Sequence, residues 1–195
     1  MITTLQIKEL RDETGISVMQ CKKALEEAGG DKEKALIILR KKSGEAALKK
    51  SDRALGAGVI SSYIHGKGTI GAMVELSCET DFVANNDEFK ALAYDIAMHV
   101  AATNPEFLKY DDIGANAMEK AKEVFEKELA GKPESMREKI MEGKLKSYFS
   151  ERVLINQPFI KNPDATIGSL VESAIQKFGE KMEITRFVRF SILNK

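Results

Sequence analysis

The stretch Cys78-Glu79-Thr80-Asp81-Phe82-Val83-Ala84-Asn85 joins two segments with different hydrophobic periods. Before it, apolar residues alternate with other residues from Ile70 to Cys78, which is the two-residue period of a strand with one buried face. After it, Asn86 and Asp87 are good helix N-caps, and apolar residues then recur every three or four positions. The sequence therefore predicts a strand, a short turn and a helix, with an acid and a large aromatic residue in the turn.

Taken alone, the turn fits an ordinary junction between two elements. Phe82 and Val83 would then fold back into the core, while Thr80 and Asp81 would supply capping. For an arbitrary sequence this interpretation is the favoured one.

The N-terminal segment predicts a small bundle of three helices. Thr3 or Thr4 can cap the first helix, Ser17 the second and Asp31 the third, and glycines follow the first two. Lysine and arginine then concentrate in residues 40–44 and 49–53, which favours a solvated connector. We expect a helical domain with this connector over residues 1–52 and a larger mixed body over residues 53–195.

The sequence of the body predicts an α+β fold with an antiparallel sheet. Inward-facing and outward-facing positions alternate in residues 59–64, as they do in the predicted strand from Ile70 to Cys78. The Gly66-Lys67-Gly68-Thr69-Ile70-Gly71 segment therefore lies where two predicted strands meet. A dinucleotide fingerprint needs a helix at its end, so a hairpin turn explains these glycines better. Residues 113–155 are rich in helix formers and break at Gly131-Lys132-Pro133, which predicts a helical hairpin. One more helix and a final strand, Glu183 to Leu193, complete the prediction.

Composition excludes several classes of function. Among the 195 residues, 30 Lys and Arg balance 30 Asp and Glu, so no general field for nucleic acid is expected. Cys21 and Cys78 are far apart, which fits reduced thiols, and residues 1–8 lack the pattern of a signal peptide. We expect a cytoplasmic protein with no membrane contact. His99 fits a structural role, and no metal-ligand spacing or nucleophile motif is evident.

Several stretches of the chain resemble translation elongation factor Ts. The Thr80-Asp81-Phe82-Val83-Ala84 segment after Cys78-Glu79 is similar to the signature of that family. Two further similar segments lie among the predicted N-terminal helices, Thr14-Gly15-Ile16-Ser17 and Cys21-Lys22-Lys23-Ala24-Leu25. Two more lie in the C-terminal part of the chain, Gln157-Pro158-Phe159-Ile160-Lys161 and Arg186-Phe187-Val188-Arg189-Phe190. The resemblance implies a ubiquitin-associated-like fold for the N-terminal helices. Longer family members have a body of two related halves, whereas this chain has room for one, which resembles the short form.

The resemblance also implies a function, namely guanine nucleotide exchange on elongation factor Tu in its GDP-bound and nucleotide-free forms, without covalent chemistry or a cofactor. Thr80, Asp81, Phe82 and Val83 would disturb the partner's Mg²⁺ site, with Phe82 as a wedge. Gly15, Ile16 and Val18 would bind the predicted N-terminal helical domain, here called the head, to elongation factor Tu. From the residues alone, Ile16 and Val18 could equally belong to the core of the head. Short members are expected to form homodimers, and an exposed edge would make the final strand and its neighbouring hairpin the candidate interface.

Two other functions remain open from the residues. A non-catalytic scaffold with a ubiquitin-associated-like head explains the N-terminal helices but leaves the Thr80 to Asn85 segment unexplained. A small nucleotide-binding enzyme rests on the glycine pattern alone.

Overall fold

The computed structural model describes residues 2–129 and 133–192 of the chain. The protein is an α+β structure, as predicted. Its helices are α1 Thr4–Thr14, α2 Val18–Glu27, α3 Lys32–Leu48, α4 Asp81–Ala84, α5 Asp87–Thr103, α6 Ala115–Leu129, α7 Glu134–Ser150 and α8 Ile167–Phe178. Its strands are β1 Ala57–His65, β2 Ile70–Cys78, β3 Pro158–Phe159, β4 Asn162–Thr166 and β5 Met182–Ser191. Two single 3₁₀ turns lie at Tyr110–Asp112 and Leu154–Asn156.

Local sequence signals set the ends of the first three helices. Thr3, Ser17 and Asp31 cap α1, α2 and α3, each accepting a backbone N–H three residues further on. Gly15 ends α1 in the left-handed region, at φ +67°, where glycine carries no steric penalty. The three helices pack around their own apolar cluster, which includes Leu10, Leu25 and Leu39.

One expectation about this region is wrong. Residues 40–44 were predicted to belong to a solvated connector, but α3 continues through them to Leu48. The helix continues because one side of it is covered: α3 packs against α8, and Ser43 is buried with its hydroxyl donating to the side-chain oxygen of Gln176. The charged residues of this stretch lie on the remaining, exposed side of the same helix.

The main sheet has three antiparallel strands in the order β1-β2-β5. The predicted hairpin joins β1 to β2, and Gly66 and Gly68 both have positive φ in its turn. Alternate residues of β2 point to α5 and are buried, namely Ala72, Val74, Leu76 and Cys78. Together with α5 and α8 they form the largest apolar cluster of the protein.

The helical hairpin forms a separate apolar cluster. Helices α6 and α7 pack together around Ala121, Leu145 and Phe149, while Val124 and Met136 are exposed. The Gly131-Lys132 part of the predicted break lies outside the described residues, as does Leu193 of the predicted last strand. Arg189 of β5 donates to the carbonyl oxygen of Ala101 at 3.0 Å and to Asn104, so it binds the C-terminal end of α5.

Candidate functional site

The turn after β2 consists of two successive capped helices. Thr80 is extended and its hydroxyl oxygen accepts the backbone N–H of Val83, so it caps the single turn α4. Asn86 then caps α5, its side-chain oxygen accepting the Glu88 N–H at 2.8 Å. Only Asn85 separates α4 from the cap of α5. The turn is therefore fixed by hydrogen bonds on both sides.

Helix geometry places Phe82 and Val83 in opposite environments. Val83 and Ala84 are buried in the main core, at 5% and 8% exposure, whereas Phe82 is 86% exposed. A single helical turn has one side toward the core and one toward solvent; here Val83 and Ala84 lie on the core side and Phe82 lies on the solvent side. The interpretation that Phe82 folds into the core is wrong, because only Val83 does so. Asp81 is exposed beside the ring.

Two carboxylates connect the turn to distant parts of the chain: Glu180, which lies beyond α8, and Glu79, which belongs to the turn's own stretch. Glu180 accepts hydrogen bonds from the Thr80 backbone N–H at 3.1 Å and from the Thr80 hydroxyl at 2.7 Å. Glu79 accepts the Lys181 backbone N–H and, at 3.1 Å, a guanidinium N–H of Arg53. The Lys181 hydrogen bond, followed by Arg53, holds the pKa of Glu79 below its usual value. The sequence did not indicate these contacts, because both partners of the turn lie about a hundred residues away in the chain.

Cys78 does not have the environment of a nucleophile. It is fully buried, and its thiol donates to the Thr80 carbonyl oxygen at 3.2 Å. Burial, followed by the negative charge of Glu180, raises the pKa of this thiol. Cys21 is also buried, and burial raises its pKa as well. Both thiols therefore stay protonated at neutral pH.

The predicted docking residues of the head lie in three different settings. Gly15 ends α1 and lies against the side chain of Lys177 on α8. Ile16 is 2% exposed and belongs to the core of the three helices, so its side chain is not available to a partner. Val18 is 51% exposed and its neighbour Met19 is 64% exposed. Of the three predicted residues, Val18 alone presents an exposed apolar side chain, and the exposed Met19 beside it was not among the predictions.

Within residues 2–129 and 133–192, no three His, Cys, Asp or Glu side chains are grouped so that they could hold a metal ion. In the same part of the chain no helix has the length and apolar character needed to cross a bilayer.

His99 occupies a structural position in α5. It is fully buried; one ring nitrogen, Nε2, lies 2.9 Å from the side-chain oxygen of Gln157, and Nδ1 accepts the Ile160 N–H at 3.4 Å. An accepting Nδ1 requires the neutral ring in which Nε2 carries the proton. Burial lowers the pKa of His99, partly opposed by the Gln157 hydrogen bond.

This environment predicts that the protein loses stability in mild acid. Because the pKa of His99 is lower in the folded state, the unfolded chain binds the proton first, and folding is penalised as the pH falls below the ordinary value of 6.5. One such histidine changes the free energy of unfolding by at most about 1.4 kcal/mol per pH unit. Urea unfolding between pH 7 and pH 5 measures the slope. It should be shallower in His99→Leu and unchanged in a matched variant of the exposed histidine, His65→Gln; equal slopes in all three proteins would contradict the assignment.

Comparison with known proteins identifies the chain. The family model described as elongation factor TS matches residues 17–194. The elongation factor Ts of Carboxydothermus hydrogenoformans is 50% identical over 98% of this chain and 89% of its own length. The elongation factor Ts of Thermodesulfovibrio yellowstonii is 50% identical over 98% of this chain and 96% of its own length. The elongation factor Ts of Thermosipho melanesiensis is 47% identical over 98% of this chain and 99% of its own length.

These matches first assign the chain to a class, the elongation factors of translation. Within that class it belongs to the elongation factor Ts family, since the similarity covers the three-helix segment, the sheet, the helical hairpin and the last strand. The chain covers almost the whole length of two of these relatives, 96% and 99%.

Proposed function

We propose that the protein is a guanine nucleotide exchange factor for elongation factor Tu. The observation that carries this proposal is the exposed Phe82 on a rigidly capped turn, in a chain that belongs to the elongation factor Ts family. The protein would accelerate GDP release without forming or breaking a covalent bond. It needs no cofactor, nucleic acid or membrane for this task, and it would act in the cytoplasm.

Phe82 would act as a wedge at the partner's nucleotide site. A large aromatic side chain resists compression and can move a packed element from one discrete position to another. Nucleotide binding depends strongly on Mg²⁺ and the phosphates, so a small displacement of the groups that hold the ion removes much of the affinity. Asp81, exposed beside Phe82, would add its negative charge to this disturbance.

The other two residues of the turn would support the wedge rather than touch the partner's metal. Thr80 caps α4 and is held by Glu180, and Val83 anchors the opposite side of the same helical turn in the core. A side chain that displaces an element of another protein must itself be held firmly in place by the protein that carries it. These two contacts give Phe82 that support.

The head would add affinity. We propose that α1–α3 form a ubiquitin-associated-like domain over residues 1–52, which packs through α3 against α8 of a body over residues 53–195. Val18, together with Met19, would dock on the partner, because these neighbouring apolar side chains are exposed at the start of α2. Gly15 and Ile16 would shape this surface from below by ending α1 and filling the core.

Competition with nucleotide tests the proposal. If the factor weakens nucleotide binding, nucleotide must weaken factor binding by the same ratio. Calorimetry should therefore give a tight complex with nucleotide-free elongation factor Tu and a much weaker one when GDP and Mg²⁺ are present. Equal affinities in the two states would leave a scaffold without exchange activity and overturn the proposal.

We further propose that the protein is a homodimer. Strand β5 is an edge of the sheet, and the face of the sheet opposite α5 exposes apolar side chains on all three strands, among them Ile60, Met73 and Phe190. A second copy could cover the edge and this face by a two-fold arrangement.

Light scattering at micromolar concentration should report twice the mass of the chain. Phe190→Glu should yield monomers, because it would place a charge in the apolar face. Ile37→Glu changes an equally exposed apolar residue on α3 and should leave the dimer intact. A wild-type monomer would contradict the proposal.

A further inference from the structure

A cleft of about 610 Å³ lies between α2, the C-terminal part of α3 and the end of α8. Four lysines line it: Lys23 on α2, Lys42 and Lys49 at α3, and Lys50 just beyond that helix. The only acidic residue in its lining, among those the structure describes, is Glu45. None of the residues of the Thr80–Val83 turn is part of the cleft.

The positive charge of the cleft is only partly compensated. Lys42 pairs with Glu27 at 2.6 Å. Within residues 2–129 and 133–192, Lys23, Lys49 and Lys50 form no ion pair with a carboxylate. Glu45 can offset one of these three lysines, and the charge of Lys50 also acts on Glu79 outside the cleft, so at least one positive charge remains in a protein whose overall charge is zero. This local excess points to an anionic ligand.

Helix capping accounts for some of these lysines but not for all of them. Lys49 and Lys50 follow the carboxyl end of α3, where a positive charge is favourable. Lys23 is different, because it lies in the middle of α2 and faces the cleft from the opposite side. The walls are also fixed, since the buried Ser43 of α3 bonds to Gln176 of α8 beside the cleft.

The remaining lining favours a peptide over a phosphate compound. Phosphate sites commonly use arginine forks or helix N-termini, and nucleobases stack on aromatic rings. The lining has no arginine and no aromatic residue, and α3 and α8 meet it at their carboxyl ends. Some carbonyl oxygens at these ends already accept backbone N–H groups, among them those of Glu45, Ala47 and Ile175. The remaining ones can accept hydrogen bonds, which a peptide backbone can donate and a phosphate group at neutral pH largely cannot.

We propose that this cleft binds an acidic segment of another protein. Carboxylates of the segment would pair with Lys23, Lys49 and Lys50, and its methylene groups would lie on the apolar floor around Ile175 and Ala46. Its backbone N–H groups would bond to the ends of α3 and α8. This surface does not include the Thr80–Val83 turn that we propose acts on the partner's nucleotide site.

Fluorescence anisotropy with a fluorescein-labelled hexaglutamate peptide tests this proposal on the full chain at low ionic strength. The triple variant Lys23→Gln/Lys49→Gln/Lys50→Gln should bind the peptide about tenfold more weakly, because three surface charge contacts are lost. The control triple Lys122→Gln/Lys127→Gln/Lys139→Gln removes the same charge from exposed positions of the helical hairpin and should change the affinity less than about twofold.

Three results would overturn the proposal: no binding of hexaglutamate to the wild type, equal weakening by the two triple variants, or tighter binding of tripolyphosphate than of hexaglutamate at the same site. The last result would make the cleft a phosphate site. Circular dichroism of both triple variants verifies that they fold, as substitutions of exposed lysines should leave stability within about 0.5 kcal/mol.

Discussion

Replacing Phe82 by alanine should remove most of the protein's effect on GDP release from elongation factor Tu. Phe82 is 86% exposed, so the substitution leaves the core of the protein untouched. An aromatic anchor at the centre of a protein contact is typically worth 2 kcal/mol or more, which corresponds to a roughly 30-fold or larger loss of the stimulated rate. The dissociation rate of GDP at a saturating concentration of the variant measures this loss.

Two further variants separate a wedge from a general contact. Phe82→Leu keeps an apolar side chain but reduces its size, so it should retain part of the activity. Leu48→Ala truncates a different apolar side chain, 75% exposed at the end of α3, and should leave the exchange rate unchanged. If Phe82→Ala folds and accelerates GDP release as well as the wild type does, the wedge assignment is wrong.

Replacing Phe89 by alanine should have the largest effect on stability. Phe89 lies in the first turn of α5, is fully buried and belongs to the same cluster as Val83 and the inward residues of β2. Truncating a buried phenylalanine costs about 3–5 kcal/mol, because the apolar contact is lost and a cavity remains. Urea unfolding followed by circular dichroism measures this change.

Phe82→Ala is the matched control, since it makes the same chemical change at an exposed position. We expect it to alter the free energy of unfolding by less than about 0.5 kcal/mol. The two variants should therefore give opposite results: Phe89→Ala should lose stability, and Phe82→Ala should lose exchange activity. A loss below 1 kcal/mol in Phe89→Ala would mean that the core beneath the turn is not packed as described.

Local signals in the sequence predicted much of the fold. The alternation that ends at Cys78 located β2, and Ser17 and Asp31 were correctly identified as helix caps. For α1 and α5 the sequence offered two candidate caps each, and the structure uses Thr3 and Asn86. Each of these features depends on residues within three or four positions, which a sequence displays directly. The hairpin turn after β1 was predicted for the same reason.

Features that depend on distant contacts were not predictable in this way. Whether Phe82 or Val83 enters the core depends on how α4 is placed on the sheet, and that is set by Glu180 and by the Lys181 backbone N–H. The continuation of α3 through its lysines depends on the cover that α8 provides. Ile16 and Val18 have similar side chains and lie two positions apart, and only tertiary packing buries one of them and exposes the other.

The most direct test of the account is the release of a fluorescent GDP analogue from elongation factor Tu, followed by stopped flow with and without this protein. If the protein is an exchange factor, the release rate rises with its concentration and then saturates when the partner is fully bound. A stable complex between the two proteins with an unchanged release rate would contradict the account and leave a binding protein without exchange activity.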